Sequence, residues 1–264
     1  MNRSSSGSGL RLGIAALTVL LSVASFQGGA GAATATPKAP AGNAFTEIEN
    51  YVYWVYTSVL FREPDEDGFT YWTNHVEENG PAPFVFAVVE SEEWRQTWVD
   101  YFYSLWLDRS ADEGGLDFWS AYLAGHGFDS FESFVGGSDE AYDVGGGTDE
   151  DYVWFVYDAG AFSDPTDDQL ADGLAMLEGP APRSDFVASV LHSENGLASR
   201  VEVAYGTTLN REPDLNGALY WMSYYHATGR MDHMLGHMLL SDEAWDVAQD
   251  PPTTRADLRS LLER

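Results

Sequence analysis

Apolar and aromatic residues recur along this chain in blocks of one shape. An aromatic-rich run, Tyr51 to Leu60, leads into a charged turn, Phe61-Arg62-Glu63-Pro64-Asp65-Glu66-Asp67-Gly68, and then into the pair Tyr71-Trp72. An apolar stretch from Phe84 follows and closes on Ser91-Glu92. The turn and pair return at Asn210-Arg211-Glu212-Pro213-Asp214-Leu215-Asn216-Gly217 with Tyr220-Trp221, and in looser form at Asp108-Arg109-Ser110-Ala111-Asp112-Glu113-Gly114-Gly115 with Phe118-Trp119. Arg62 and Arg109 are 47 residues apart and Arg109 and Arg211 are 102 apart, about two periods. A degenerate copy is expected between the last two, and Phe162-Ser163-Asp164-Pro165 with Asp168 stands there. A fixed period of this length is the signature of stacked supersecondary units, and it predicts four units of helix, turn, helix, helix.

Within each unit the periodicity is helical. Phe69, Trp72 and Val76 recur at three-to-four spacing, and Phe84, Val85, Val88 and Val89 correspond to Phe186, Val187, Val190 and Leu191 and to Met234, Leu235, Met238 and Leu239. Proline pushes the residue before it out of the helical region, so Glu63-Pro64 and Glu212-Pro213 should stop the preceding helix. Asp65, Asp112 and Asp214 are placed to cap the next one, with Glu66, Asp67 and Glu113 in its first turn where the helix dipole favours anions. The Tyr-Trp and Phe-Trp pairs are expected to be carried inward. No series of alternating strands is present, so the expected class is all-α with little or no sheet.

Composition narrows the functions open to such an array. The chain has 264 residues, 42 acidic and 13 basic, for a net charge of −29. Binding phosphates by counterion release needs lysine and arginine, and Lys38 is the one lysine, which excludes nucleic acid and an anionic lipid surface as partners. The absence of cysteine removes disulfides, thiolate zinc sites and cysteine nucleophiles together. A hydrophobic fraction of 44% with nine tryptophans is too apolar for a disordered acidic chain.

Arg3 and Arg11 precede an uncharged apolar run, Ile14 to Phe26, and then Ala30-Gly31-Ala32. That order is a secretory signal peptide over 1–32, too short to be a membrane anchor, and it predicts a secreted, extracellular or wall-associated protein. Its removal takes two arginines and no acid, which would bring the charge to about −31. Residues 33–44 read as a flexible leader, 45–144 as a module of two units, 145–149 as a glycine-rich linker, 150–250 as a second module holding the degenerate unit and the last one, and 251–264 as a tail.

The order Arg-Glu-Pro-Asp, Gly, Tyr-Trp, then an apolar helix closing on Ser-x-Glu, resembles the bacterial domain of unknown function numbered 4214. It is carried by Arg62-Glu63-Pro64-Asp65, Gly68, Tyr71-Trp72, Ser91 and Glu93-Trp94, and by Arg211-Glu212-Pro213-Asp214, Gly217, Tyr220-Trp221, Ser241 and Glu243. It is looser at Arg109, Asp112, Gly115 and Phe118-Trp119, and around Pro165 Ser163 and Gly173 replace the arginine and the tryptophan. The resemblance implies helical repeats of secreted and surface proteins, similar in fold to phycobilisome linker domains, and it implies no catalytic residues.

Candidate chemistry is sparse. Asp65-x-Asp67-Gly68 and Asp214-x-Asn216-Gly217 set oxygen ligands two apart before a glycine, which makes Asp65, Asp67, Asp214 and Asn216 calcium candidates. Where an EF-hand has its closing glutamate, Asn74 and Ser223 stand, so an N-cap with an acidic first turn is the favoured account. Arg62, Arg109 and Arg211 are expected to pair with carboxylates or helix-end carbonyls. His233 and His237 have the i, i+4 spacing that can share a zinc, with His226 and Asp232 as further ligands nearby, but the general-base glutamate of the protease motif is missing and the pair is expected to face solvent. Adjacent acids such as Glu77-Glu78 and Glu92-Glu93 do not face one another across a substrate. Gly145-Gly146-Gly147-Thr148-Asp149 resembles the calcium-binding nonapeptide but occurs once.

The sequence therefore favours a non-enzymatic extracellular module with no cofactor, binding a cell-surface or matrix protein or a polysaccharide. The alternative is a carbohydrate-binding or carbohydrate-active protein. Trp54, Trp94, Trp98, Trp106, Trp154 and Trp245 are expected in the core, and two or three of them coplanar and exposed would favour the sugar reading.

Overall fold

A computed structural model describes residues 45–250; the segments expected to be a signal peptide, a leader and a tail lie outside the described residues. The first block of sequence folds as α1 (Glu47–Val59), α2 (Glu66–Asn79) and α3 (Pro81–Val89), and the second as α4 (Glu92–Leu107), α5 (Glu113–Leu123), α6 (Phe128–Gly136) and the short α7 (Asp139–Val144). After the glycines come α8 (Asp149–Ala161), α9 (Asp167–Glu178) and α10 (Arg183–Leu191), then α11 (Glu194–Leu209), α12 (Leu215–Thr228), α13 (Met231–Leu239) and α14 (Asp242–Gln249). Among the described residues there is no strand, and the class is all-α as expected.

Local signals account for these boundaries. Ser91, Ser138, Ser193 and Ser241 each accept the amide three residues on, so the Ser-acidic end of each apolar stretch opens a new helix. In α4 and α11 that helix runs on through the aromatic run of the following block for 16 residues. The helix begun at Ser138 is stopped by Gly145, Gly146 and Gly147, the last two at φ of 105° and 70°, which glycine adopts without a side-chain penalty. Phe61, Asp108, Phe162 and Asn210 hold φ near +50° at one shared register after α1, α4, α8 and α11. A phenylalanine there costs about 1–2 kcal/mol. Phe61 is held by packing, since its ring lies 5.7 Å from that of Trp98.

The four helices that carry the recurring runs, α1, α4, α8 and α11, meet in a closed circuit. The Trp98 indole of α4 donates to the Val59 carbonyl at the end of α1 (3.2 Å), and the Trp106 ring of α4 meets Phe155 of α8 edge-on at 5.8 Å. Ser199 Oγ of α11 donates to the Gly160 carbonyl of α8 (3.2 Å), and Trp54 of α1 donates to the Thr208 carbonyl of α11 (3.2 Å). Outside this ring α6 packs on α10 and α13 on α3, while α14 closes onto α1 by stacking Trp245 on Tyr51 at 4.7 Å. The buried apolar side chains of all these helices form one cluster, so the glycine stretch 145–149 joins two halves that also share a core.

Two expectations about aromatic placement meet different fates. Trp54, Trp94, Trp98 and Trp106 are buried and Trp245 is half-buried, whereas Trp154 is 40% exposed. The Tyr-Trp and Phe-Trp pairs do not both turn inward: Trp72, Trp119 and Trp221 are half-buried, and Tyr71, Phe118 and Tyr220 are 59%, 62% and 61% exposed. Neighbouring positions on an α-helix point about 100° apart, and the stripe that holds Phe69, Trp72 and Val76 is too narrow to take both members.

Candidate functional site

The shared turn builds a polar knot, and its geometry explains each motif residue. Arg62, Arg109 and Arg211 each clasp the carboxylate of the Ser-x-Glu segment of their own block, Glu93, Glu140 and Glu243, with the second guanidinium contact at 2.9 Å in all three. Each guanidinium also donates to the next carbonyl and lies over a tyrosine ring, Tyr56, Tyr103 or Tyr205, at 5.1, 5.3 and 4.9 Å. The tyrosine hydroxyls receive the indole N–H of the motif tryptophans, at 2.8 Å for Trp119 on Tyr103. Gly68, Gly115 and Gly217 sit where these hydroxyls arrive, and a Cβ on Gly217 would lie 2.0 Å from the Tyr205 oxygen. The arginine and tryptophan thus serve helix joining, as their expected pairing with carboxylates and carbonyls implied.

The degenerate block keeps the tie in neutral form. Ser163 stands for the arginine and Asn195 for its glutamate, and Asn195 Nδ2 donates to Ser163 Oγ at 3.1 Å. Where the other blocks carry tryptophan, a Cβ on Gly173 would come within 3.0 Å of both Phe186 and Val153, so those side chains already fill the space.

The calcium candidates fall on this turn. Asp65 Oδ1 accepts from Gly68 N–H at 2.8 Å and Asp214 Oδ1 from Gly217 N–H at 3.0 Å, the N-cap arrangement; Asp67 and Asn216 are exposed at the second helical position. That bond, aided by Arg211, holds the Asp214 carboxyl below the usual aspartate range. Asp65→Ala is expected to cost about 1 kcal/mol in chemical denaturation, and Asp214→Ala to lower stability in the same direction. If these carboxylates only cap helices, millimolar calcium should leave the melting midpoint unchanged; a rise that Asp65→Ala and Asp214→Ala abolish would restore calcium.

His233 and His237 lie one turn apart on α13, their ring centroids 6.4 Å from each other, and each meets Phe86 of α3 edge-on at 5.8 and 5.7 Å. His237 is exposed as expected, but His233 is half-buried and directs Nε2 to Glu90 Oε1 at 3.1 Å. Asp232 joins this group through Arg230, whereas His226 stands against His192 instead. Glu90 escaped the sequence reading because it caps the end of α3, 143 residues away in the chain.

A second cluster missed by the sequence reading is buried between the halves. Glu132 of α6 and Arg200 of α11 are 0% and 1% exposed and pair at 2.6 Å, and the Trp106 indole donates to the same carboxylate oxygen at 3.2 Å. Arg200 lies over Phe102 at 5.6 Å, and nearby Tyr225 donates to Asp129 at 2.6 Å with His192 on the other carboxylate oxygen at 3.0 Å. Among the described residues Glu132 Oε1 and Arg200 Nε have no hydrogen-bond partner. Burial outweighs the arginine and the indole and pushes the Glu132 carboxyl up to about 7. The register carried a usable signal: Glu132 occupies the column of Val85, Val187 and Leu235, and Arg200 that of Trp98.

Aromatic side chains at the edge of the core form rows that join exposed rings to half-buried ones. Phe118, Trp119, Tyr122 and Phe134 touch in series on α5 and α6, with centroids 4.9 to 6.3 Å apart, and Tyr220, Trp221, Tyr224 and His237 repeat the row on α12 and α13. Tyr71, Trp72 and His75 make a shorter one on α2. Leu215 and Leu219, 75% and 55% exposed, extend the α12 surface.

Fold and site define an all-α protein organised by a recurring arginine-tyrosine-carboxylate knot, with its apolar surplus displayed in rows. Residues 42–98 match the family described as Domain of unknown function (DUF4214), the family its turn motif resembles. The matched span holds α1 to α3 and ends inside α4, beyond Glu93, so it contains one complete knot. No curated protein and no solved structure matches the chain.

Proposed function

We propose that the protein is a secreted, non-enzymatic helical binding module that engages a cell-surface or extracellular-matrix partner through its exposed aromatic rows. The observation that carries this is the shared register of Tyr71, Phe118 and Tyr220, each about three-fifths exposed. Large rigid rings give contact area at little entropic cost and dominate binding energy at interfaces, while isolated exposure of this size has no value for folding. The export signal expected at residues 1–32 supports display of those rows outside the cell, and the acid excess favours the solubility of such a surface. A flat sugar platform is less well supported, because the Tyr71-Trp72, Phe118-Trp119 and Tyr220-Trp221 rings cross at 75°, 78° and 82°.

The test is binding of fluorescently labelled mature protein to intact cells of the secreting strain. The triple variant Tyr71→Ser, Phe118→Ser, Tyr220→Ser should lower the bound fraction at least about tenfold with an unchanged melting curve. Binding at the parental level by that variant sinks the proposal, and loss of binding in the presence of soluble wall polysaccharide would move it to a glycan.

A further inference from the structure

We propose that Glu90, Asp232 and His233 form a zinc site that clasps the seam between α3 and α13, where the last block of the chain returns to the first. This goes beyond the aromatic rows and does not depend on them. One ligand atom from each of the three side chains lies within 4.8 Å of the others, the only group of its kind among the described residues. An imidazole with two carboxylates is a donor set that suits zinc, which takes nitrogen at about 2.0–2.1 Å and carboxylate oxygen at about 2.0–2.2 Å and fills remaining positions with water. Calcium and magnesium, which take oxygen ligands, gain nothing from His233.

The geometry is already gathered. Glu90 ends α3, where its N–H bonds back to Phe86, and Asp232 and His233 open α13. His233 Nε2 is 3.1 Å from Glu90 Oε1, and contact with the Phe86 edge limits where the imidazole can turn. Two carboxylates can stand this close because a cation lies between them: Arg230 is 2.6 Å from Asp232 Oδ2 and 3.9 Å from Glu90 Oε1. The guanidinium marks where positive charge is held, and zinc would take its place while Arg230, 45% exposed, swings to solvent. A bound ion would tie together residues 143 positions apart, so it would stabilise the folded chain against an unfolded one in which the ligands are scattered.

The experiment is a thermal melt and a calorimetric titration of the mature chain with zinc chloride, against calcium chloride as control. Zinc at roughly 100 micromolar should raise the midpoint, and a chelator should reverse it. His233→Gln and Glu90→Gln should each weaken binding at least about tenfold, His237→Gln should leave it unchanged, and Arg230→Gln should strengthen it by removing the competing cation. The proposal is overturned if zinc leaves the midpoint where it was. Equal loss in His237→Gln and His233→Gln overturns it in favour of the i, i+4 histidine pair, and unchanged binding in His233→Gln shows only a diffuse response of the acidic surface. Each glutamine variant is melted first without metal, so that a folding defect is read separately from lost binding.

Discussion

Arg200→Leu is expected to lower the unfolding free energy by about 3–5 kcal/mol at pH 8, because it strands the Glu132 carboxylate in the core with the Trp106 indole as its remaining donor. The penalty should shrink at pH 5, where Glu132 takes up a proton and no longer buries a charge. In the parent protein the sign is the same. Burial raises Glu132 to about 7 from an ordinary 4.5, so the folded state holds the proton more tightly than the unfolded state does. Stability contributed by this group is present in full below about 4.5 and is lost as pH rises through about 7. Denaturation curves at pH 5 and pH 8 measure it, and Glu132→Gln should reduce the difference between them; parallel changes in parent and variant would show that Glu132 does not titrate there. The paired change Glu132→Leu, Arg200→Met should restore most of the lost stability, since replacing a whole buried pair with apolar side chains of similar size is neutral or favourable. Other blocks hold apolar side chains at the equivalent positions, Trp98 in the column of Arg200 and Leu235 in that of Glu132.

Trp98→Ala is expected to cost about 3–5 kcal/mol. The indole is fully buried, touches Trp94, Phe61, Tyr101 and Phe102 with centroids between 5.7 and 6.1 Å, and satisfies the Val59 carbonyl at the left-handed exit from α1. Truncation removes that packing, opens a cavity in the circuit of long helices and leaves the carbonyl without its donor. Trp154→Ala, by contrast, should fall within about 1 kcal/mol of the parent, because Trp154 is 40% exposed. Urea titrations of the two variants decide it, and similar losses would mean that Trp154 is packed where it is described as open.

Composition does not tell those two tryptophans apart, since one stands within an aromatic-rich run and the other just before one. The repeat register did distinguish them in part. Trp98 shares its column with Arg200, an exchange that only a buried compensating carboxylate makes tolerable, and Glu132 stands in an otherwise apolar column. Two charged side chains in apolar columns are a sequence-level sign of a buried pair, once the blocks are aligned. The same alignment explains the loss of Arg and Glu together at Ser163 and Asn195, where one neutral hydrogen bond replaces the ion pair.

The helices, their caps and the turns between them were written into the chain by itself. Asp65, Asp112, Asp214 and the four serines act on amides three residues away, and proline and glycine act on their own backbone, so short spacings encode them fully. What closes the molecule was decided only in three dimensions. Arg200 meets Glu132 across 68 residues and His233 meets Glu90 across 143, and no local spacing fixes which of the 42 acids a given cation or imidazole will find. The outward turn of Tyr71, Phe118 and Tyr220 belongs to the same class of fact: each helix had one stripe to bury, and packing of the circuit chose the tryptophan.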